Sequence, residues 1–315
     1  MNRKWNKLGI AIMVMFFAGC NEVSVNPEHS GTSDQKNSSI ESASAGKNEL
    51  KYGLSTSPWK YVGNSVDVSA ATEYFYRTDG DYLYRSVDAA TWVKMSTPRG
   101  ASRVSANTGY DGKDYVAVTV KGFVYLYHED QYGTGTWTSF SNATTDNKVV
   151  TYINDLAVRK DGAVWAIGNT DNQIFWLGNG ASWPSSSSKW TNWSTQKAVA
   201  MSFAPVQTNA GWMPSPLIIN EHREVWLWNL QTSSWIYENA NSVADICGIG
   251  WTGWLGGSGN TWITSTSGAL NYWSASEPPY HYWTAWGATS VKRVGCSESN
   301  KLIVVNTDGS TYVKI

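Results

Sequence analysis

The stretch INDLAVRKDGAVWAIGNTDNQIFWLGNGASW, residues 153–183, decides the fold. It opens with an apolar run, Ile153 to Val158, and then makes a polar turn at Arg159, Lys160, Asp161 and Gly162. A second run follows (Val164, Trp165, Ala166, Ile167), then an Asn-Thr-Asp-Asn turn, then Ile174, Phe175, Trp176 and Leu177. Runs of this length, rich in β-branched and aromatic residues and bounded by Gly, Asn and Asp, read as strands joined by tight hairpins. The unit is expected to be a four-stranded antiparallel sheet closed by a Trp.

The same phrase recurs along the chain. Aligned on the first strand, the copies read Val66-Asp67-Val68-Ser69, Ser102-Arg103-Val104-Ser105, Asn154-Asp155-Leu156-Ala157, Val199-Ala200-Met201-Ser202, Ala244-Asp245-Ile246-Cys247 and Lys292-Arg293-Val294-Gly295. The third position is always aliphatic and the fourth always small. That pattern suits backbones converging on an axis, where bulk has no room. Copies at a spacing of roughly 45 residues predict an all-β protein, a six-bladed β-propeller of four-stranded antiparallel blades, with seven blades as the fallback count. Trp92, Trp137, Trp190, Trp235 and Trp283 each precede or open a short outer strand. The last copy stops without one at Ile315, and Pro58-Trp59-Lys60-Tyr61-Val62 stands unused at the other end. The N-terminal strand is therefore expected to complete the last blade and leave no free sheet edge at the joint.

Residues 1–19 read as a secretory signal: Arg3, Lys4 and Lys7 precede an apolar run too short to span a bilayer. The run ends in Phe17-Ala18-Gly19-Cys20, which resembles a bacterial lipobox; the resemblance implies lipidation of Cys20, and Asn21 after it implies the outer membrane. Residues 20–50 carry no aromatic side chain and alternate small, polar and charged residues, the composition of a disordered tether. Residues 51–315 form the remaining domain.

Without Arg3, Lys4 and Lys7 the chain keeps 21 basic and 25 acidic side chains, a balance that argues against a nucleic-acid partner. The 19 Trp and 17 Tyr, against 7 Phe, put a polar handle on most of the aromatic surface, which suits half-buried sheets and sugar-facing surfaces alike. His29, His128, His222 and His281 have no metal-ligand spacing, and no Gly-rich phosphate loop or nucleophile elbow occurs. No metal, no cofactor and a monomer are expected.

Asp161-Gly162-Ala163-Val164-Trp165-Ala166, followed by Ile174-Phe175-Trp176 and Ser182-Trp183, resembles a tectonin repeat, the unit of tachylectin-like six-bladed lectins. The other copies keep strand order and closing Trp but lose the Asp-Gly-x-x-Trp core. The resemblance implies recognition of glycan or lipopolysaccharide at a surface. Residues 84–92, Tyr84 to Trp92, resemble the Asp box of sialidases, one residue short and with Ala90 in place of the turn Gly; even there the box is a structural turn. Sialidase or glycosidase chemistry needs a cluster of arginines or two carboxylates on one pocket. Here Asp79, Asp161 and Asp308 fall in turns, and Asp67, Arg103, Asp155, Asp245 and Arg293 read as a charge-balanced ring near the central channel.

In an antiparallel blade the connections after the first and third strands leave on one face, and that face receives the insertions. They include Gln131-Tyr132-Gly133, Ser182-Trp183-Pro184, Asn209 to Met213, Gly250 to Gly257 and Pro279-Tyr280-His281. Trp212, Trp251 and Trp254, with Tyr280 and His281 at the edge, are the expected glycan groove. Cys247 and Cys296 are candidates for a disulfide in an oxidising compartment, with two buried free thiols as the alternative. The function expected is a membrane-anchored, lectin-like binder of envelope glycan or polysaccharide. The alternatives are a scaffold lipoprotein with an envelope-protein partner and a hydrolase of the sialidase-like propeller type.

Overall fold

The computed structural model describes residues 59–129, 135–168, 171–178, 184–185, 187–208, 211–248, 260–274, 284–285, 288–299 and 301–314. Blade one is β2 (Asp67–Ala70), β3 (Phe75–Thr78), β4 (Leu83–Ser86) and β5 (Val93–Lys94), and the preceding β1 (Trp59–Asn64) belongs elsewhere. Blade two is β6 (Ala101–Thr108), β7 (Asp114–Val120), β8 (Phe123–Glu129) and β9 (Gly135–Ser139). Blade three is β10 (Ile153–Val158), β11 (Val164–Gly168), β12 (Gln173–Leu177) and the first half of β13 (Trp190–Thr208). The second half of β13 opens blade four, with β14 (Gly211–Asn220), β15 (Val225–Asn229) and β16 (Ser234–Tyr237). Blade five is β17 (Val243–Gly248), β18 (Asn260–Ser265), β19 (Leu270–Ser274) and β20 (Thr284–Ala285). The last sheet is β21 (Val291–Cys296), β22 (Leu302–Asn306) and β23 (Ser310–Lys314), with β1 on its outer edge. All the pairings within these sheets are antiparallel, and β1 zips onto β23 from Trp59 opposite Lys314 to Asn64 opposite Ser310.

The inner strands β2, β6, β10, β13, β17 and β21 neighbour one another in turn, and β21 returns to β2. The fold is an all-β propeller closed by its N-terminal strand. Buried apolar side chains gather in the seams between blades; Trp165, Ile167, Met201 and Phe203, for example, fill the seam between blades three and four. The aliphatic third positions, Val68, Val104, Leu156, Met201, Ile246 and Val294, are all 4–6% exposed, one uniform layer around the axis.

The strand register adds a feature that the alignment does not show. Just ahead of the second position the inner strand of blades two to six carries a bulge, at Ser102, Asn154, Val199, Ala244 and Lys292. A bulge re-aims the side chain beside it. Second-position side chains consequently reach the neighbouring blade.

Fourth positions are small because backbones meet there. A Cβ on Gly295 would lie 2.6 Å from the Cα of Ser69 in blade one, so the ring joins blade six to blade one through a glycine. Ser69, Ser105 and Ser202 instead accept the N–H of Ala106, Val158 and Gly248 at 2.9, 3.1 and 2.8 Å, each in the next blade. In blade five the fourth position is Cys247, which is disulfide-bonded to Cys296 of blade six with the Cα atoms 5.9 Å apart.

Candidate functional site

The ring of charges is the first place to look for chemistry. Asp67, Asp155 and Asp245 accept the N–H of Val104, Met201 and Val294 at 2.8, 2.9 and 2.8 Å, each from the next blade. Arg103 lies 3.4 Å from Asp67 and 3.6 Å from Asp155, and Arg293 lies 3.0 Å from Asp245 and 3.8 Å from Asp67. The five groups therefore form a chain, Asp155, Arg103, Asp67, Arg293, Asp245, that is interrupted where blade four has Ala200. Burial pushes the Asp67 carboxyl up against the pull of both arginines, and it pushes Asp155, at the end of the chain, up to about 6. Burial pulls the Arg293 guanidinium down, but the three carboxylates more than offset it and its pKa rises. Each carboxylate is committed to a backbone N–H and a guanidinium, so the ring fastens blades together.

Other carboxylates hold turns. Asp88 accepts from Ser86 Oγ and from the N–H of Ala90 and Thr91, with Ala89 at a positive φ of 57°, so the stretch resembling an Asp box is a turn. The N–H groups of Thr91 and Ala90, and to a smaller extent the Ser86 hydroxyl, pull its carboxyl down to about 2. Asp79 takes the N–H of Asp81 and Tyr82, and Asp308 that of Ser310. Among the described residues no group of His, Cys, Asp and Glu is arranged to hold a metal ion.

Trp251, Trp254, Tyr280 and His281 lie outside the described residues, as does Cys20. Trp212 is described in backbone only, and there the expectation of a loop needs correction. It sits in β14 opposite Gln207, because β13 and β14 continue pairing as far as Thr208 opposite Gly211. The two arms pair Val206 with Met213 and Gln207 with Trp212 beyond the blade.

The described aromatic residues converge elsewhere, in the seam between blades three and four. Trp165 of β11 stands edge-on to Trp176 of β12 and to Trp193 of β13, with ring centroids at 5.5 and 4.2 Å. Trp193 meets Trp228 and Trp235 of blade four at 5.0 and 5.5 Å, and those two face each other across β15 and β16 at 5.3 Å. Edge-to-face contacts of this kind hold the rings in fixed orientations. Trp165 is buried, whereas Trp176, Trp193, Trp228 and Trp235 are each half-buried. Trp235 Nε1 donates to Ser194 Oγ at 3.4 Å, which ties the blade-four indole to the blade-three strand. Trp228 lies next to the β15–β16 connection, so the cluster opens on the face that receives the insertions.

The seam between blades one and two carries a different set at the same level. Arg85 pairs with Glu129, stacks over Tyr74 at 4.5 Å, and shares Glu129 with the Tyr127 hydroxyl. Behind it, Tyr76 donates to Asp114 at 2.7 Å, and burial raises both their pKa values.

No family model matches the chain, and no curated protein matches its sequence. Among solved structures it is similar to the SapL1 lectin in complex with alpha methyl fucoside, at 14% identity and a TM-score of 0.53, over 81% of this chain and 95% of that one. It is also similar to a candidate gluconolactonase, at 10% identity and a TM-score of 0.52, over 84% of this chain and 94% of that one. It overlaps PorZ, a surface component of the type-IX secretion system of Porphyromonas gingivalis, at 9% identity and a TM-score of 0.47. That overlap covers 81% of this chain but spans only 37% of PorZ. At these identities the likeness shows the β-propeller fold alone.

Proposed function

We propose that this protein is a lectin-like binder of glycan or polysaccharide at the cell envelope, held there by lipid on Cys20, and that its binding face is the indole cluster of blades three and four. The observation that carries the reading is the confinement of Trp176, Trp193, Trp228 and Trp235 to one seam, half-buried and oriented by edge contacts. Ring faces held in this way bury the C–H surface of a sugar. Trp212 of β14 is included in the proposed groove, together with Trp251, Trp254, Tyr280 and His281 from outside the described residues. The SapL1 lectin was solved with alpha methyl fucoside, which supports the capacity of this fold for sugar binding.

The test is a glycan array and fluorescence titration with envelope polysaccharide, using the full chain and the variant Trp235→Ala. Loss of one stacking face is expected to weaken binding about tenfold or more, about 1.4 kcal/mol. A wild-type protein that binds no glycan, or a variant that binds as the parent does, removes the reading. Labelling with a palmitate analogue, lost in Cys20→Ala, tests the anchor. A second reading, a scaffold for an envelope protein, draws on Phe123 and Tyr152 on the opposite face, each 50% exposed, with the Tyr152 ring against Gly122. Phe123→Ser that leaves glycan binding intact but abolishes co-purification of one envelope protein favours it.

A further inference from the structure

The channel mouth on the insertion face is crossed by an ion pair from opposite sides of the ring. Lys160 lies in the β10–β11 turn of blade three and Glu298 in the β21–β22 turn of blade six, and Lys160 Nζ stands 2.8 Å from Glu298 Oε2. Their inner strands are separated by β6 and β2 on one side and by β13 and β17 on the other, so this contact passes over the axis. Both side chains are largely withdrawn from solvent, at 15% and 17% exposure. Tyr110, from the β6–β7 turn of blade two, places its ring 5.5 Å from the Lys160 ammonium, and Arg159 holds Asp161 at 2.6 Å on the same turn as Lys160.

Beneath the pair lies a small cavity of about 40 Å³ lined by the Ser69, Ser105 and Ser202 positions, Asn107, Glu298 and both halves of the disulfide, Cys247 and Cys296. The far end of the channel is lined by Asp67, Arg103, Asp155 and Asp245 of the charged ring and also reaches Cys247. The pair is not a strong bolt. One Glu298 oxygen, Oε1, is buried without a hydrogen-bond partner among the described residues, and desolvation of that kind offsets much of the attraction in an ion pair. Lys160 reaches across on a flexible four-carbon stem that swings aside without disturbing its strand.

We propose that Lys160 and Glu298 form a strap across the channel mouth that controls solute access from the insertion face to the cavity and to the Cys296 side of the disulfide. The strap closes by electrostatic attraction between blades that share no seam, and it opens without unfolding.

The experiment measures the rate at which tris(2-carboxyethyl)phosphine reduces the disulfide in the folded full chain, followed by mass-tagging of the released thiols. Lys160→Met and Glu298→Gln are each expected to speed reduction severalfold, and the charge-reversed double variant, Lys160→Glu with Glu298→Lys, to return it toward the wild-type rate. Rates in both single variants equal to wild type overturn the strap. So does a reduction rate that rises with urea in parallel with global unfolding, because access then comes from unfolding and not from the mouth.

Discussion

Asp155→Asn isolates the cost of ending a buried chain of charges on a carboxylate. Asp155 has one arginine within reach, Arg103 at 3.6 Å, while Asp245 and the rest of the ring lie beyond it. Desolvation outweighs that pull and lifts the carboxyl from its ordinary 3.8 to about 6. A carboxyl whose pKa is higher in the folded than in the unfolded chain binds its proton more tightly when folded. Its contribution to stability is therefore fully present below about 3.8 and is lost as pH rises through about 6. At 1.36 kcal/mol per unit, the loss comes to about 3 kcal/mol. Asparagine has no proton to lose and keeps an oxygen for the Met201 N–H, so the variant does not suffer it. The stability of Asp155→Asn minus that of wild type should rise by about 2 kcal/mol between about pH 4 and about pH 7, the larger part of that total, read from urea unfolding at each pH. The surface carboxylates Asp88 and Asp146, both pulled down by local hydrogen bonds, titrate alike in the two proteins and cancel. Asp67, left with more of Arg103, shifts the difference in the same direction. A difference that stays constant with pH, or one that moves toward the wild type, refutes the reasoning.

Three further outcomes follow from the seams. Replacing both Cys247 and Cys296 by Ser opens a loop of 49 residues and should cost about 4 kcal/mol in urea unfolding; an unchanged midpoint means that the bond stabilises nothing. Gly248→Ala places a Cβ 1.9 Å from the Phe203 carbonyl oxygen, a backbone clash that no rotamer relieves, and should lower stability by about 1–3 kcal/mol or more. Deleting β1 strips the ladder from β23 and exposes its edge, so light scattering on warming should show aggregation that the parent lacks. A truncated protein that melts like the parent places the closure elsewhere.

The architecture was legible because its most demanding feature is local. Where inner strands crowd an axis the fourth position must be small, and Ser69, Ala157, Cys247 and Gly295 report that constraint one copy at a time. Asp67, Arg103, Asp155, Asp245 and Arg293 could be placed near the channel for the same reason, but their partners could not. Which group on the next blade an Asp reaches depends on how the two inner strands are staggered, and that is fixed only once the strands are paired in register. Trp193 was missed for that reason too. Along β13, Asn192 pairs with Phe175 and Ser194 with Ile174, so Trp193 is the extra residue of a bulge and joins no alternating pattern that a sequence displays. Trp212 was misread in the opposite sense: glycine beside an aromatic suggests a loop, while the partner that makes it a strand, Gln207, lies beyond the turn.

The strand that carries Trp193 also explains why indoles gather at this seam among the described residues. β13 runs for 19 residues without a break, pairing first with β12 as the last strand of blade three and then with β14 as the first strand of blade four. Elsewhere adjoining blades are separate sheets along the chain. A continuous ladder on both sides of this seam fixes the two blades to each other through backbone hydrogen bonds as well as side chains. Trp165 and Trp176 from one blade and Trp228 and Trp235 from the next can then meet around Trp193 without either set having to move. Rings placed in advance spend little ordering entropy when a ligand arrives, which is where an open, half-buried site gains most. Introducing Pro at Lys197, where β13 passes from one blade to the next, should therefore weaken glycan binding more than it lowers the melting temperature.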